Sequence, residues 1–161
     1  MRSSAAEGGG LPVLVGRRAR LRAWRADDAD AIHRACQDPA IQRWTRVPSP
    51  YREGDAEGFL RHGVPAVHAA GGAAFCLETL DADHLAGSMA LHGLDDGVGE
   101  IGYWVAPWAR GRGVAADALD VLSRWCFDHL GAARLELLVE PGNHPSRAVA
   151  TRCGYREEGT L

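Results

Sequence analysis

Apolar and polar residues alternate along several stretches of the first two thirds of the chain, and a period of two is typical of half-buried strands. Residues 12–24 alternate in this way, with a turn signal at 16–17, so one or two strands are predicted there. Residues 73–80, 84–94 and 100–105 read as three more strands separated by short turns rich in Asp and Gly. Strands joined by such short turns pair antiparallel, so a meander is predicted.

A helical period of apolar residues predicts two helices between the first strands and the meander. Asp27 reads as the N-cap of a helix over residues 27–37, and Asp38-Pro39 is expected to end it. The looser connection that follows carries Trp44 among prolines, so it forms either an apolar plug or a wall of a substrate pocket. A second helix begins at Glu53, and Pro65 is expected to kink or restart it.

The last third of the chain predicts a helical crossover followed by another strand. An apolar stripe runs through residues 114–130, and Gly131 suits the position after a helix C-terminus. The strand over 134–140 should therefore lie parallel to the strand before the crossover. A short helix over 145–152 and a last strand from Tyr155 complete the prediction of one mixed α/β domain over residues 11–161.

Two arginines and two glycines stand between the strand 100–105 and the long helix, in the order Arg110-Gly111-Arg112-Gly113. A helix N-terminus offers unpaired N–H groups and a partial positive charge, which favour an anion. Glycine lets the backbone approach a phosphate closely, and arginine supplies forked, permanently charged donors. This turn therefore predicts a binding site for a phosphate-bearing ligand.

Several known phosphate-binding turns can be compared with this one. A Walker P-loop needs Lys-Ser or Lys-Thr after its second glycine, whereas Gly113 is followed by Val114-Ala115. A dinucleotide fingerprint matches better, but a doubly wound sheet cannot be completed from the 21 residues after Glu140. An ordinary helix start would explain the arginines but not the glycines, which each cost about 1 kcal/mol in a helix relative to alanine.

Composition narrows the classes of function. The net charge of −3 does not favour nucleic acid as a partner, and no apolar run is long enough to predict a membrane span. Without a signal peptide pattern, a cytoplasmic protein is expected, and residues 1–10 are expected to be a disordered tail. The four cysteines show no CxxC spacing, and His84 and His92 lack a third ligand at fixed spacing, so no metal site is predicted.

Several stretches together resemble the GNAT N-acetyltransferases, and within them the ribosomal-protein N-terminal acetyltransferases of the RimJ/RimL type. The resemblance covers residues 12–161 in the family's order. It is carried by the pyrophosphate-turn pattern Arg110-x-x-Gly113-x-Ala115 and by further motifs along the chain: Arg22-Ala-Trp-Arg-Ala-Asp-Asp-Ala, Pro50-Tyr51, Gly99-Glu-Ile-Gly-Tyr-Trp-Val-Ala-Pro107, Asn143-x-x-Ser146, Cys153-Gly-Tyr155 and Glu158-Gly159. The resemblance implies a mostly antiparallel sheet flanked by about four helices, with a central parallel pair of strands that splay apart.

The resemblance also implies acetyl-CoA as co-substrate. Its pantetheine arm would lie between the splayed strands, and its pyrophosphate would bind to the turn. The cofactor-binding residues expected on this basis are Tyr103, Val105, Arg110, Gly111, Arg112, Gly113, Val114, Ala115, Asn143 and Ser146.

The implied reaction is direct attack by a primary amine, of a protein N-terminus or of a small molecule, on the thioester in a ternary complex. Ser146 would protonate the leaving thiolate, although capping of the short helix explains this serine equally well. Two carboxylates are candidates for the general base. Glu158 matches the RimJ/RimL-type glutamate, and Glu100 could reach the amine through a water. The alternative function is a non-catalytic acyl-CoA-binding module or sensor.

The sequence departs from the family at its C-terminus. The family has a further strand that pairs with the strand begun at Tyr155, and the sequence ends at Leu161. That C-terminal strand is therefore expected to be missing. The uncovered strand edge would invite another chain, and a homodimer is one expected way to cover it.

Overall fold

A computed structural model describes residues 10–82 and 84–160 of the chain. The expected disordered tail, apart from Gly10, and Leu161 lie outside the described residues. Six strands form one sheet in the order β1-β2-β3-β4-β5-β6, and they are β1 Leu14–Val15, β2 Ala19–Ala23, β3 Ala73–Thr79, β4 Leu85–Asp95, β5 Val98–Val105 and β6 Arg134–Glu136. Every neighbouring pair is antiparallel except β5 and β6, which are parallel. The predicted meander and the parallel pair are both confirmed.

The helices cover both faces of the sheet, and their bounds are α1 Ala29–Ala35, α2 Pro39–Trp44, α3 Asp55–Gly58, α4 Val64–Ala69, α5 Val114–His129 and α6 His144–Arg152. Two apolar clusters define the faces. Leu119 and Leu122 of α5 pack on Phe75 and Met89 of the sheet. On the other face α1, α2 and α3 contribute to a second cluster around Cys76. The sheet is therefore the middle layer of a mixed α/β fold.

The residues 38–51 contain a helix that the sequence interpretation missed. The first helix ends before Asp38-Pro39 as expected, because α1 ends at Ala35. Pro39 also occupies the first turn of a new helix, α2, where its missing N–H costs nothing. Asp38 caps this helix by accepting a hydrogen bond from the Ile41 N–H at 3.1 Å. The predicted N-cap at Asp27 is wrong, because the helical turn before α1 already begins at Ala26 and Arg25 is its N-cap, with the Asp28 carboxylate accepting from the Arg25 N–H at 2.8 Å.

The second predicted helix is continuous but irregular. A π-helical segment, Phe59–Gly63, joins α3 to α4, and Pro65 lies in the first turn of α4. Proline cannot supply an N–H to the turn before it, so the helix rewinds and restarts at this point. The expected kink or restart at Pro65 is confirmed.

The parallel pair of strands is much shorter than predicted. β6 ends at Glu136 instead of residue 140, and it pairs only with Val98, Gly99 and Glu100 of β5. The segment 137–140 then leaves β5, so the two neighbouring segments of the sheet splay apart. The predicted last strand from Tyr155 is absent from the described residues, since 155–160 are irregular. Side-chain contacts, such as the ion pair between Arg147 and Glu157, hold this segment instead of a strand ladder.

Candidate functional site

A cleft of about 870 Å³ opens where β5 and β6 separate. The Arg110–Gly113 turn and the start of α5 form one end, and the segment 137–139 and α6 form the opposite wall. The cleft also reaches Ile41, Trp44 and Thr45 on the α2 side of the sheet. Because the splay interrupts the sheet, ligands on its two faces can meet in this cleft.

The turn before α5 is shaped by two glycines in the left-handed region. Gly111 has φ +75° and Gly113 has φ +72°, which residues with a side chain rarely adopt. Gly113 is the N-cap of α5, a helix of 16 residues whose first N–H groups lack partners within the helix. Successive N–H groups in such a turn form a concave anion site, and the helix dipole favours negative charge there.

The two arginines of the turn face different surroundings. Arg110 Nη2 donates to Asp38 Oδ2 at 2.7 Å, so the turn is connected to the cap of α2. This hydrogen bond is the main reason that the pKa of Asp38 lies below its ordinary value. Arg112 lies 3.9 Å from Asp81, and both side chains are more than half exposed. The Arg112 charge is therefore hardly neutralised by the protein.

The main chain of β5 offers unpaired groups to the cleft. The N–H of Ala106, just past β5, donates to the Ala86 carbonyl at 2.7 Å, towards β4. Main-chain groups alternate in direction along a strand, so those of Tyr103 and Val105 point away from β4 and into the splay. They lie beyond the part of β5 that pairs with β6. An extended ligand arm could pair with them as an additional strand would.

Three polar residues, from β5 and the start of α6, are linked by hydrogen bonds across the cleft. Tyr103 Oη donates to Ser146 Oγ at 3.1 Å, and the Ser146 N–H donates to Asn143 Oδ1 at 3.4 Å. Asn143 is the N-cap of α6, so the alternative role of Ser146 as the helix cap is wrong. Burial raises the pKa of Tyr103, and its hydrogen bond to Ser146 opposes that shift only in part. Tyr103 is consequently a neutral donor whose hydrogen bond orients the serine hydroxyl.

All ten residues predicted to bind the cofactor line this one cleft: Tyr103, Val105, Arg110, Gly111, Arg112, Gly113, Val114, Ala115, Asn143 and Ser146. The two carboxylates predicted as general bases do not. Glu158 is exposed and accepts from Arg134 Nη1 at 3.0 Å, and this hydrogen bond lowers the Glu158 pKa. Glu100 lies at the paired end of β5, away from the splay. The assignment of a general base stays a prediction.

Other cleft residues were not assigned a role from the sequence. Trp44 extends from α2 to within 3.2 Å of the Cβ position of Gly142, in the loop before α6. Of the two interpretations of its segment, the pocket wall is therefore supported. Arg18, from the turn between β1 and β2, also lines the cleft. No local signal marks it, because its neighbours in the cleft are more than 90 residues away in sequence.

Within residues 10–82 and 84–160, no group of three or more His, Cys, Asp or Glu side chains is arranged to hold a metal ion. Over the same residues, none of the helices combines the length and the apolar character required to span a bilayer. The four cysteines, Cys36, Cys76, Cys126 and Cys153, are free thiols, and the first three are buried.

The known proteins that this chain resembles are named as acetyltransferases. A family model described as the acetyltransferase (GNAT) domain matches residues 18–156. YdaF of Bacillus subtilis (strain 168), provisionally named a ribosomal N-acetyltransferase, is 39% identical over 77 residues, which are 47% of this chain and only 42% of YdaF. The uncharacterized N-acetyltransferase p20 of Bacillus licheniformis is 25% identical over 94% of this chain and 86% of its own. Mycobacterium smegmatis RimJ in complex with CoA-disulfide is 30% identical with a TM-score of 0.79, covering 92% of this chain and 77% of that structure.

Proposed function

The chain belongs to the GNAT acetyltransferase family, and we propose that it transfers the acetyl group of acetyl-CoA to the N-terminal amine of a protein. Membership of this family supports acyl-CoA-dependent N-acetyl transfer as its activity. The observation that carries the proposal is the cleft at the splay between β5 and β6, which is lined by a phosphate-binding turn and reaches both faces of the sheet. The name of YdaF, a ribosomal N-acetyltransferase, supports a protein as acceptor.

The donor enters from the α5 side in this proposal. The N–H groups of residues 111–115 bind the pyrophosphate of acetyl-CoA, and Arg112 adds an exposed positive charge. The pantetheine arm pairs with the main chain of Tyr103 and Val105, in the gap that the short β6 leaves open. Asn143 and Ser146 contact the other side of the arm. This arrangement holds the thioester at the centre of the sheet.

The acceptor approaches from the α2 side, where the cleft is bounded by Trp44, Thr45 and Trp104. The neutral amine attacks the thioester carbonyl, so a C–N bond forms and the C–S bond breaks. A main-chain N–H near Val105 stabilises the oxyanion. Alignment of the two reactants contributes several kcal/mol, up to about 7–11 in ideal cases.

Ser146 supplies the proton to the departing thiolate. The Ser146 Oγ accepts a hydrogen bond from Tyr103, so the hydroxyl proton of Ser146 stays free to be donated. The amine loses a proton before or during attack, and Glu158 and Glu100 remain the proposed acceptors, acting through water. If Glu158→Gln and Glu100→Gln each leave kcat and its pH profile unchanged, neither carboxylate is the general base.

A thiol-release assay with acetyl-CoA tests the function. Peptides with free N-termini are compared with N-terminally blocked peptides that retain a lysine, and with small primary amines. Turnover of free N-termini alone is the expected result. Turnover of small amines alone would refute a protein acceptor. Saturable acetyl-CoA binding without any turnover would favour the non-catalytic alternative, and absence of binding would refute acetyl-CoA as the donor.

A further inference from the structure

We propose that Arg18 is a third guanidinium of the phosphate site, supplied by the turn between β1 and β2 and directed at the phosphate groups of acetyl-CoA. The inference rests on the proposed use of acetyl-CoA as donor. It adds a residue from outside the pyrophosphate turn, nearly 100 positions earlier in the chain, to the groups that hold the co-substrate.

Arg18 contacts the phosphate-binding turn directly. Its Nη1 donates to the carbonyl oxygen of Arg112 at 3.0 Å, and it lies 3.0 Å from the position that a Cβ on Gly113 would take. The guanidinium therefore stands at the N-terminus of α5, where the anion is expected. Arg18 also lines the cleft itself.

The backbone of Arg18 is fixed by a carboxylate on α5. Asp117 accepts hydrogen bonds from the N–H groups of Arg17, Arg18 and Ala19, at 3.2, 2.9 and 2.9 Å. Gly16 permits this approach, because a Cβ there would overlap the Asp117 carboxylate. The β1–β2 turn is thus attached to the first turns of α5 by main-chain groups. The Arg18 side chain is not needed for that attachment.

The charge of Arg18 remains available to a ligand. Arg110 is neutralised by Asp38, and Arg112 lies near Asp81. Among residues 10–82 and 84–160 no carboxylate forms an ion pair with Arg18, whose one side-chain hydrogen bond goes to a carbonyl. Four of its five N–H donors are left, and a guanidinium fork matches the oxygens of a phosphate. Acetyl-CoA offers a pyrophosphate and a 3′-phosphate to such donors.

The test compares Arg18→Gln with Arg17→Gln, which removes the same charge from the same turn. Because Arg17 and Arg18 contact Asp117 only through main-chain N–H groups, both variants should keep the thermal unfolding midpoint of the wild type. For Arg18→Gln we expect KM for acetyl-CoA to rise about tenfold, as for loss of one charge-assisted hydrogen bond, with kcat little changed. For Arg17→Gln we expect wild-type constants.

Kinetics with three acetyl donors, acetyl-CoA and two analogues that lack one or all of its phosphates, distinguish phosphate binding by Arg18 from support of the turn. With S-acetylpantetheine, which lacks all phosphates, Arg18→Gln should equal the wild type. With 3′-dephospho-acetyl-CoA, a remaining defect assigns Arg18 to the pyrophosphate, and loss of the defect assigns it to the 3′-phosphate. An equal defect with S-acetylpantetheine would overturn the proposal, since Arg18 would then act through the shape of the turn. Equal KM values in Arg18→Gln and Arg17→Gln would overturn it too. A wild type that binds no acetyl-CoA refutes the proposed function itself, before any variant is compared.

Discussion

Two groups of arginines in this protein have opposite surroundings. In the buried ion cluster, Arg22 Nη2 lies 2.8 Å from Asp28 Oδ1 and Arg22 Nε lies 2.9 Å from Glu78 Oε2, with all three side chains less than 10% exposed. At the mouth of the cleft, Arg110 and Arg112 are 42% and 52% exposed. In the buried group Arg22 is paired with two carboxylates, and Glu78 also pairs with Arg20 at 3.0 Å. In the exposed group Arg110 has one carboxylate partner at 2.7 Å, and the carboxylate nearest to Arg112 is 3.9 Å away.

This difference separates arginines that hold the fold from arginines that can hold a ligand. A buried charge is tolerated only when opposite charges pair with it, and Arg22 pairs with two carboxylates and donates to the Ala23 carbonyl at 3.0 Å. An exposed ion pair is worth about 1 kcal/mol or less, so Arg110 can exchange Asp38 for a phosphate at little cost to stability. The burial of an arginine and the number of its carboxylate partners therefore indicate its role.

The largest expected effect is on the buried ion cluster. Asp28→Ala leaves the Arg22 guanidinium buried and short of a partner, so we expect the free energy of unfolding to fall by about 3–5 kcal/mol. Urea denaturation measures it. For Asp38→Ala, which breaks the exposed pair and the cap of α2, we expect a loss of about 1–2 kcal/mol. Equal losses in the two variants would refute the distinction.

The second effect lies in the turn at the cleft. Gly113→Ala forces a left-handed backbone on alanine, at about 1–2 kcal/mol, and brings its Cβ against Arg18. We expect lower stability together with a raised KM for acetyl-CoA. Gly131→Ala is the matched control, because φ is +71° there and nothing lies within 4 Å of the Cβ position. The control should lose similar stability and keep the wild-type KM, and a raised KM in it would contradict the prediction.

The third effect concerns Arg110. Arg110→Gln removes a charge beside the proposed pyrophosphate site, so we expect KM for acetyl-CoA to rise about tenfold while the free energy of unfolding changes by less than about 1 kcal/mol. Steady-state kinetics and urea denaturation provide the two measurements. A large loss of stability without a change in KM would place Arg110 with the buried group instead.

The smallest effect is a dependence of stability on pH. Burial alone would raise the pKa of Asp28, but hydrogen bonds from Arg22 and Arg25 outweigh it and the pKa is lowered. A carboxyl with a lowered pKa stabilises the fold above its unfolded pKa of about 3.9, and this contribution is lost as the pH falls through the folded value. The stability difference between the wild type and Asp28→Asn should therefore shrink below about pH 4. A constant difference from pH 7 to pH 3 would contradict this.

Local patterns predicted most of the sheet and the turn before α5, and the family resemblance implied the other residues that line the cleft. The alternation of apolar and polar residues identified the strands of the meander. The left-handed backbone of the turn requires glycine, and Gly111 and Gly113 therefore mark the turn in the sequence. The short pairing of β6 and the absent strand after Tyr155 could not be read in the same way. The length of each of these two strands depends on whether a neighbouring segment supplies backbone hydrogen-bond partners, and the pattern of apolar residues alone does not determine whether it does.

The parts that were missed depend on contacts between distant residues or on context. Arg22 resembles any polar residue of a half-exposed strand, and only its pairing with Glu78, 56 residues later, shows that it is buried. Asp38-Pro39 follows the end of α1, as the sequence indicates, but the same two residues also begin α2, which the sequence pattern does not reveal. The position of Arg18 in the cleft can be recognised only once it is known that the start of α5 lies against the turn between β1 and β2.

The hydrogen bonds of Asp117 also affect the order in which the parts of the protein fold. They join the β1–β2 turn to a helix about 100 residues later, which is a contact of high sequence separation. Such contacts incur the entropy of closing a long loop and form slowly. During synthesis, the phosphate-binding end of the cleft cannot assemble until α5 has emerged from the ribosome. A fragment of residues 97–131 would contain the glycine turn and the helix but lack Arg18.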